Sequence, residues 1–226
     1  MLFRSGEAAS YANLGSVYRS VGEYEKAREH LEKSLVLQKE IGDRNGEATC
    51  YVNLGNVYLA VGDYEKASGY YEKSSAISRN IGDRRSLAYS YLNLGVQFLS
   101  VENYRKANEY NQKALGIFSD IGDRKGVAQA HLSQGDVERA VGNFVKAKEY
   151  FENVLAITKE TGDRNLEALF CSSLGVFFFD QDELVTAEEY IRKALALDEE
   201  SGHIQGQFHS LNKIAYIRLK DRKSVV

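Results

Sequence analysis

The side chains best able to hold a metal or attack a substrate are few in this sequence and lie far apart. They are the imidazoles and thiols of His30, His131, His203, His209, Cys50 and Cys171. Their spacing matches no zinc-binding pattern. The sequence also contains no glycine-rich phosphate loop, no nucleophile elbow and no His-Glu-x-x-His helix. We therefore predict no catalytic residue, no cofactor, no metal site and no enzymatic activity.

A second pattern that could do chemistry is the triplet Gly-Asp-Arg, which occurs at 42–44, 82–84, 122–124 and 162–164. An arginine beside the free N–H groups of a helix start could bind a phosphate. The simpler interpretation is structural: glycine ends one helix, aspartate caps the next, and arginine makes a surface ion pair. We favour the structural interpretation because each residue type then has a local role.

The elements that carry these residues repeat every 40 residues. The spacing is kept by three columns of small residues: Gly15, Gly55, Gly95, Gly135 and Gly175; Ala8, Ala48, Ala88, Ala128 and Ala168; Ala27, Ala67, Ala107, Ala147 and Ala187. Within a repeat, Leu54, Val57, Tyr58 and Val61 follow the spacing of one helix face. The pattern predicts an all-α, right-handed superhelical solenoid of antiparallel helix pairs, with about five and a half repeats.

Turn residues place the boundaries of the repeats. Gly62 is expected to end the first helix of the second repeat, and Asp63 to cap the second helix. The turns at 102–103 and 182–183 lack glycine and should be less ideal. We predict one array over 1–226, with repeats at 5–43, 44–83, 84–123, 124–163 and 164–203. Residues 204–220 form a terminal capping helix whose Lys213 and Arg218 suit a wet outer face.

Composition narrows the classes of partner. Hydrophobic residues make up 43% and charged residues 27%, and the net charge is -3 without any proline. An acidic balance argues against nucleic acid, and no apolar run is long enough to span a bilayer, so we expect no membrane partner. Cys50 and Cys171 are predicted to be free, buried thiols, which favours a cytoplasmic location.

The residues Tyr51, Leu54, Gly55, Tyr58 and Ala67 resemble the motif of the tetratricopeptide repeat family. The 40-residue spacing and Asn-Leu-Gly-Asn at 53–56 look similar to the Leu-Gly-Asn repeat proteins, which modulate G-protein signalling. The resemblance implies a protein–protein interaction scaffold or adaptor that binds a peptide or helical segment in its concave groove.

In this family the groove is lined mainly by the first helix of each pair. The positions carried over to this chain are Arg19, Thr49, Val52, Asn56, Leu59, Tyr89, Leu92, Val96, Leu99, Gln129, Leu132, Asp136, Arg139, Val176 and Phe179. Apolar members would anchor the ligand, and Asn56, Asp136 and Arg139 would fix it by polar contacts. The alternative is that Leu92, Val96 and Leu99 pack on neighbouring helices and are not exposed.

Two further alternatives stay open. The fourth repeat is unusually polar at Gln134, Asp136 and Glu138, which is either a specificity patch or drift in which Glu138 pairs with a nearby base. The chain as a whole could also be a structural spacer or a self-associating module, either a homodimer or a piece of a longer repeat array.

Overall fold

A computed structural model describes residues 2–224, with side-chain surroundings for residues 4–221. This part of the chain contains eleven α-helices and no β-strand. In chain order the helices are α1 (Leu2–Ser20), α2 (Tyr24–Ile41), α3 (Arg44–Ala60), α4 (Tyr64–Ile81), α5 (Arg84–Ser100), α6 (Tyr104–Asp120), α7 (Arg124–Ala140), α8 (Phe144–Thr161), α9 (Arg164–Asp180), α10 (Leu184–Ser201) and α11 (Ile204–Ser224).

The helix ends follow the expected turn chemistry. Gly62 lies in the left-handed region with φ 79°, and Asp63 then caps α4, because its Oδ1 accepts a hydrogen bond from the Lys66 backbone N–H at 3.2 Å. Asp83 caps α5 in the same way through the Ser86 N–H at 3.0 Å. Both caps satisfy backbone donors that a helix start otherwise leaves without a partner.

The two turns without glycine carry strain. Glu102 and Asp182 occupy the left-handed position with φ 57° and 66°. A side chain at this position costs energy because its Cβ approaches the neighbouring carbonyl oxygen. The turn geometry is therefore kept across the repeats even where the residue type does not favour it.

The chain divides into two compact units, Met1–Gly126 and Val127–Val226. In the first unit the helices pair antiparallel. Ser34 Oγ donates to the Ala8 carbonyl at 2.8 Å, while an added Cβ at Gly15 would lie 2.6 Å from Leu31 Cγ. Position 8 thus meets 34 and position 15 meets 31, so α1 and α2 run in opposite directions. Glycine is required at Gly15 because a larger residue would displace Leu31.

Neighbouring pairs of the first unit are joined by apolar packing. Leu54 and Val57 of α3 are buried against Ala27 and Leu31 of α2. Tyr71 of α4 is buried in a cluster with Leu94 of α5. Each helix pair therefore buries one face within the pair and another against the next pair, which is how repeat stacks gain stability.

The second unit has the same construction with more phenylalanine. Phe151, Val154 and Leu166 form its largest cluster together with Phe177. The predicted fold class, an all-α solenoid built from helix pairs, is confirmed.

The prediction for the last helix was wrong in one respect. Lys213 does not lie on a wet outer face: it is half-buried, and its Nζ donates to Ser172 Oγ of α9 at 2.6 Å. The outer face of α11 instead carries exposed Phe208, Leu211 and Leu219. The lysine stem is long enough to cross to α9, so a polar residue type did not indicate a solvent-facing position.

Candidate functional site

Helix α3 presents four of the predicted groove residues on one face. Thr49 is exposed, and Val52, Asn56 and Leu59 are half-buried. Asn56 Oδ1 accepts a hydrogen bond from the Tyr71 hydroxyl at 2.8 Å. This bond holds the amide in place from the neighbouring helix. The face of α3 therefore combines a fixed amide with two apolar side chains that are partly open to solvent.

Helix α5 divides its predicted groove residues between interior and surface. Leu92 is only 7% exposed, whereas Val96 is 38% exposed. Tyr89 packs its ring edge-on against Phe118 of α6, with ring centroids 4.8 Å apart. Leu99 and Arg19, the corresponding residue of α1, are half-buried. The packing alternative thus describes Leu92, while Val96 remains accessible to a ligand.

The first unit also contains a set of amides that the sequence analysis did not single out. Asn13, Asn53 and Asn93 recur at the same 40-residue interval. Asn13 is exposed, and Asn53 and Asn93 are half-buried. The same spacing that reveals the glycine column could have found them. An amide carries both a donor and an acceptor, so it can bind the backbone of an extended chain whatever its side chains are.

In the second unit, the charged residues Asp136 and Arg139 stand where the first unit has Val96 and Leu99. Asp136 Oδ1 lies 3.5 Å from Arg139 Nε, and Asp136 Oδ2 accepts from Ser173 Oγ at 3.3 Å. Arg139 also makes an ion pair with Asp180. Asp136 and Arg139, which were expected to fix a ligand by polar contacts, therefore lie together, and each already has partners within the chain. Gln129 is half-buried and Leu132 is buried.

Lys213 completes this charged cluster. Burial lowers the pKa of Lys213, and the nearby Arg139 lowers it further, while Asp136 opposes the shift. Burial likewise raises the pKa of the Asp136 carboxyl, against the attraction of Arg139 and Lys213. With Asp180, the cluster holds two positive and two negative groups. Mutual pairing is the usual condition under which charges are kept away from water.

Beside this cluster lies a pocket of about 350 Å³. Val176 and Phe179 of α9 line it with Tyr216 and Ile217 of α11, and Lys213 lies at its polar side. Such a mixture of apolar walls and a few polar groups suits a large apolar side chain whose flanking backbone makes hydrogen bonds. Tyr216 and Lys213 were not predicted as groove residues, although they follow Val176 and Ser173 by 40 residues.

The other polar residues of the fourth repeat have local partners. Glu138 is buried and accepts from Lys146 Nζ at 2.5 Å and from Asn143 Nδ2 at 3.1 Å. The alternative in which Glu138 pairs with a nearby base therefore describes the structure. Burial lowers the pKa of His131, and the nearby Gln134 side chain partly opposes that shift.

Two arginines of the Gly-Asp-Arg triplets, Arg84 and Arg164, each make an ion pair with the last turn of the second helix of their own pair. Arg84 lies 2.7 Å from Asp120, and Arg164 lies 2.9 Å from Glu200. Both pairs are largely exposed, so each contributes little to stability. This geometry agrees with the structural interpretation of the triplets.

The part of the chain that the structure describes contains neither a candidate metal site nor an accessible thiol. No cluster of histidine, cysteine and carboxylate side chains in residues 4–221 could hold a metal ion. Cys50 and Cys171 are free and buried. Burial raises the pKa of Cys171 to about 11, so the thiol is not a reactive thiolate near neutral pH.

None of the described helices has the length and apolar character needed to cross a membrane.

Helix pairs repeated at 40-residue spacing, with partly open first-helix faces, define an α-helical repeat protein. The sequence matches the tetratricopeptide repeat family over residues 6–80 and 51–120, and the chain belongs to that family. The tetratricopeptide repeat fold is a protein-interaction scaffold. No curated protein sequence matches this chain.

Several solved structures have a similar fold at low sequence identity. The apo form of RapI is 18% identical with a TM-score of 0.69, covering 96% of this chain and 85% of that chain. Aspartyl phosphate phosphatase F from Bacillus subtilis is 16% identical with a TM-score of 0.71, covering 95% of this chain and 60% of that chain. A Rap protein complexed with Competence and Sporulation Factor is 16% identical with a TM-score of 0.71, covering 96% of this chain and 65% of that chain. This chain thus spans less than two thirds of the last two proteins.

Proposed function

We propose that this chain binds a segment of another protein along the first-helix faces of its repeats. The faces belong to α1, α3 and α5 in the first unit and to α7, α9 and α11 in the second. The ligand is an extended or helical peptide with large apolar side chains. The chain acts as a binding scaffold and not as an enzyme, and neither nucleic acid nor a membrane is its partner.

The observation that carries this proposal is the pocket between α9 and α11. Its walls are formed by Val176, Phe179 and Tyr216, and it has room for a large side chain. Lys213 and Asp180 are the charged residues of its lining, and a ligand backbone would share them with Ser172 and Arg139. A half-open apolar pocket with a few polar groups is typical of a site that anchors one side chain of a peptide.

The first unit supports the same function by a different route. Val96 is accessible, and Asn53 and Asn93 lie on successive first helices. Packed helices are about 8–10 Å apart, and an extended chain rises about 3.3 Å per residue. Amides on successive first helices can therefore contact the backbone of one extended ligand at points several residues apart.

The cellular setting and the subfamily are part of this proposal. Two free, buried thiols fit a reducing cytoplasm. The finer resemblance to the Leu-Gly-Asn repeat proteins rests on the 40-residue spacing and on residues 53–56.

A random peptide library displayed on phage tests the proposal directly. Selection against the folded chain should enrich peptides with a shared large apolar residue. Phe179→Ala and Tyr216→Ala should each weaken a selected peptide by about tenfold, since a lost large contact at a central anchor costs more than about 1 kcal/mol. Fluorescence polarisation of the labelled peptide gives the dissociation constants.

Val185→Ala is the matched control because Val185 is exposed on α10 and does not line the pocket. It should leave the affinity unchanged, and all three variants should keep the helical circular dichroism of the parent. If no peptide is enriched, or if the pocket variants bind as tightly as the control, the proposed function is wrong.

A further inference from the structure

The pocket between α9 and α11 has two isoleucines at its inner end. Ile191 of α10 and Ile217 of α11 both line it, and both are buried in one apolar cluster. Phe179 is half-buried and Tyr216 is exposed, so these two rings form the half-open sides of the pocket.

The preceding repeat has a phenylalanine at each of the two isoleucine positions. Phe151 and Phe177 precede Ile191 and Ile217 by 40 residues. Both phenylalanines are buried, and their rings meet edge to face with centroids 5.7 Å apart. Two rings of the chain itself therefore fill, in the fourth repeat, the place that two smaller side chains fill in the fifth.

The backbone leaves a similar space beside the first-helix glycine in both repeats. A Cβ added at Gly135 would lie 2.6 Å from Phe151 Cε1, and a Cβ added at Gly175 would overlap Ile191. Each second-helix side chain thus lies directly against the glycine of its own pair. An isoleucine side chain is smaller than a benzyl group, and the pocket of about 350 Å³ opens at Gly175 and Ile191.

Tyr71, at the same position of the second repeat, shows how far a ring from the second helix reaches. A Cβ added at Gly55 would lie 2.5 Å from Tyr71 Cε1, and the Tyr71 hydroxyl donates to Asn56 Oδ1 at 2.8 Å. Asn56 holds the repeat position of Val176, which lines the pocket. A ring at this position therefore extends from the glycine to the first-helix face.

We propose that the pocket is selective for an aromatic side chain of the bound peptide, and that Ile191 and Ile217 set this selectivity. The ring of the ligand takes the place that the rings of Phe151 and Phe177 take in the preceding repeat. This inference rests on the proposed function, because it concerns the same pocket and names the side chain that the pocket accepts.

The side walls favour a ring over an aliphatic chain of similar size. The ring centroids of Phe179 and Tyr216 are 5.4 Å apart, and the two planes are tilted by 46°. A third ring between α9 and α11 can meet one of them edge to face or in an offset stack. Such aromatic contacts are worth more than the apolar area that they bury.

Side-chain analogues test the selectivity without a selected peptide. p-Cresol, the analogue of the tyrosine side chain, is titrated into the full chain labelled at the isoleucine Cδ1 methyl groups. An aromatic ring shifts the NMR signal of a methyl group packed against its face, so the signals of Ile191 and Ile217 should shift upfield and saturate. Ile157, which is buried in another cluster of the second unit and does not line the pocket, is the internal control.

3-Methylbutan-1-ol is the aliphatic probe for comparison. Its dissociation constant, measured from the same methyl signals, should be at least about threefold higher than that of p-cresol, because it makes no aromatic pair.

Ile191→Phe should close the pocket, since Gly175 can accommodate a ring as Gly135 does beside Phe151. The affinity for p-cresol should fall by at least about tenfold, equivalent to about 1.4 kcal/mol. Ile191→Val is the matched control and should keep the affinity within about fourfold, because it removes a single methylene. Circular dichroism checks that both variants fold, and the titrations of the parent chain do not depend on that result.

Different results overturn this inference and the proposed function. The selectivity is wrong if p-cresol shifts neither Ile191 nor Ile217, if the aliphatic probe binds as tightly, or if a folded Ile191→Phe variant binds p-cresol like the parent. Selected peptides whose aliphatic anchor depends on Phe179 would then leave the proposed function standing. Selective binding of p-cresol without any enriched peptide would support the inference and contradict the proposed function.

Discussion

The first-helix faces of the two units share a scaffold and differ in chemistry. In the first unit, Arg19 apart, these positions are held by uncharged residues such as Asn53, Asn56 and Val96. In the second unit the corresponding stretch carries Asp136 and Arg139, with Lys213 from α11 beside them. The repeat therefore fixes where a side chain stands, while its residue type decides whether the face is neutral or charged.

The difference has an energetic consequence. The amides of Asn53 and Asn93 carry no charge, so a ligand that contacts them breaks no ion pair. The charges of the second unit are bound to one another, so a ligand must fit the existing pairs or displace them. Removing one member of such a cluster leaves the opposite charge uncompensated, which destabilises the unit that holds it.

The largest loss of stability should come from truncating a buried leucine that both units have at the same position of the repeat. Leu92 and Leu132 are equivalent by the 40-residue spacing, and both are buried. Leu92→Ala and Leu132→Ala should each lower the free energy of unfolding by about 3 kcal/mol, since they remove buried atoms and leave a cavity. Urea denaturation measures the loss, and Val96→Ala should cost less than about 1 kcal/mol. A small loss at Leu92 would instead place it at an open ligand face.

The next largest loss of stability should occur in the second unit and not in the first. Asp136→Ala should destabilise the second unit by about 2 kcal/mol, because Lys213 loses its opposite charge and Ser173 its acceptor. Asn53→Ala, at a half-buried amide of the first unit, should change stability by less than about 0.5 kcal/mol. Hydrogen exchange should locate the loss for Asp136→Ala in α7, α9 and α11. Equal losses for both variants would remove the proposed difference between the units.

A smaller effect is a dependence of the free energy of unfolding on pH. Burial lowers the pKa of Lys213 from its usual 10.5, so between the lowered value and 10.5 the unfolded chain binds more protons than the folded chain. The contribution of Lys213 to stability therefore becomes more favourable as pH rises through that window. Urea denaturation of the parent and of Lys213→Met at several alkaline pH values should show the difference shifting in favour of the parent.

The shared tyrosines titrate in both proteins and cancel in this difference. A pH-independent difference, or one that moves against the parent as pH rises, would show that the ammonium of Lys213 is not buried as described.

The smallest loss of stability should come from removing the exposed ion pairs, and it should be similar in both units. Arg84→Ala and Arg164→Ala remove exposed ion pairs with Asp120 and Glu200. Each should cost no more than about 0.5 kcal/mol, and raised salt should reduce even that loss. Losses above about 1 kcal/mol, measured by urea denaturation, would mean that the Gly-Asp-Arg arginines do more than pair at the surface.

Much of the fold was predictable because its determinants are local. The 3.6-residue apolar spacing, the glycine turn at Gly62 and the cap at Asp63 act within a few residues of one another. The 40-residue period then extends each local result to the other repeats. The family and the positions of the first helices followed from the same signals.

The sequence by itself determined the helices, their pairing and the columns that meet in the packing. Only the tertiary structure decided which predicted groove residues are accessible, because it buries Leu92 and leaves Val96 open. It also turns Lys213, which was expected on a wet outer face, inward. The bonds from Ser173 to Asp136 and from Lys213 to Ser172 join residues 37 and 41 positions apart. Such contacts depend on the spacing and rotation of packed helices, and residue types along one helix do not specify either quantity.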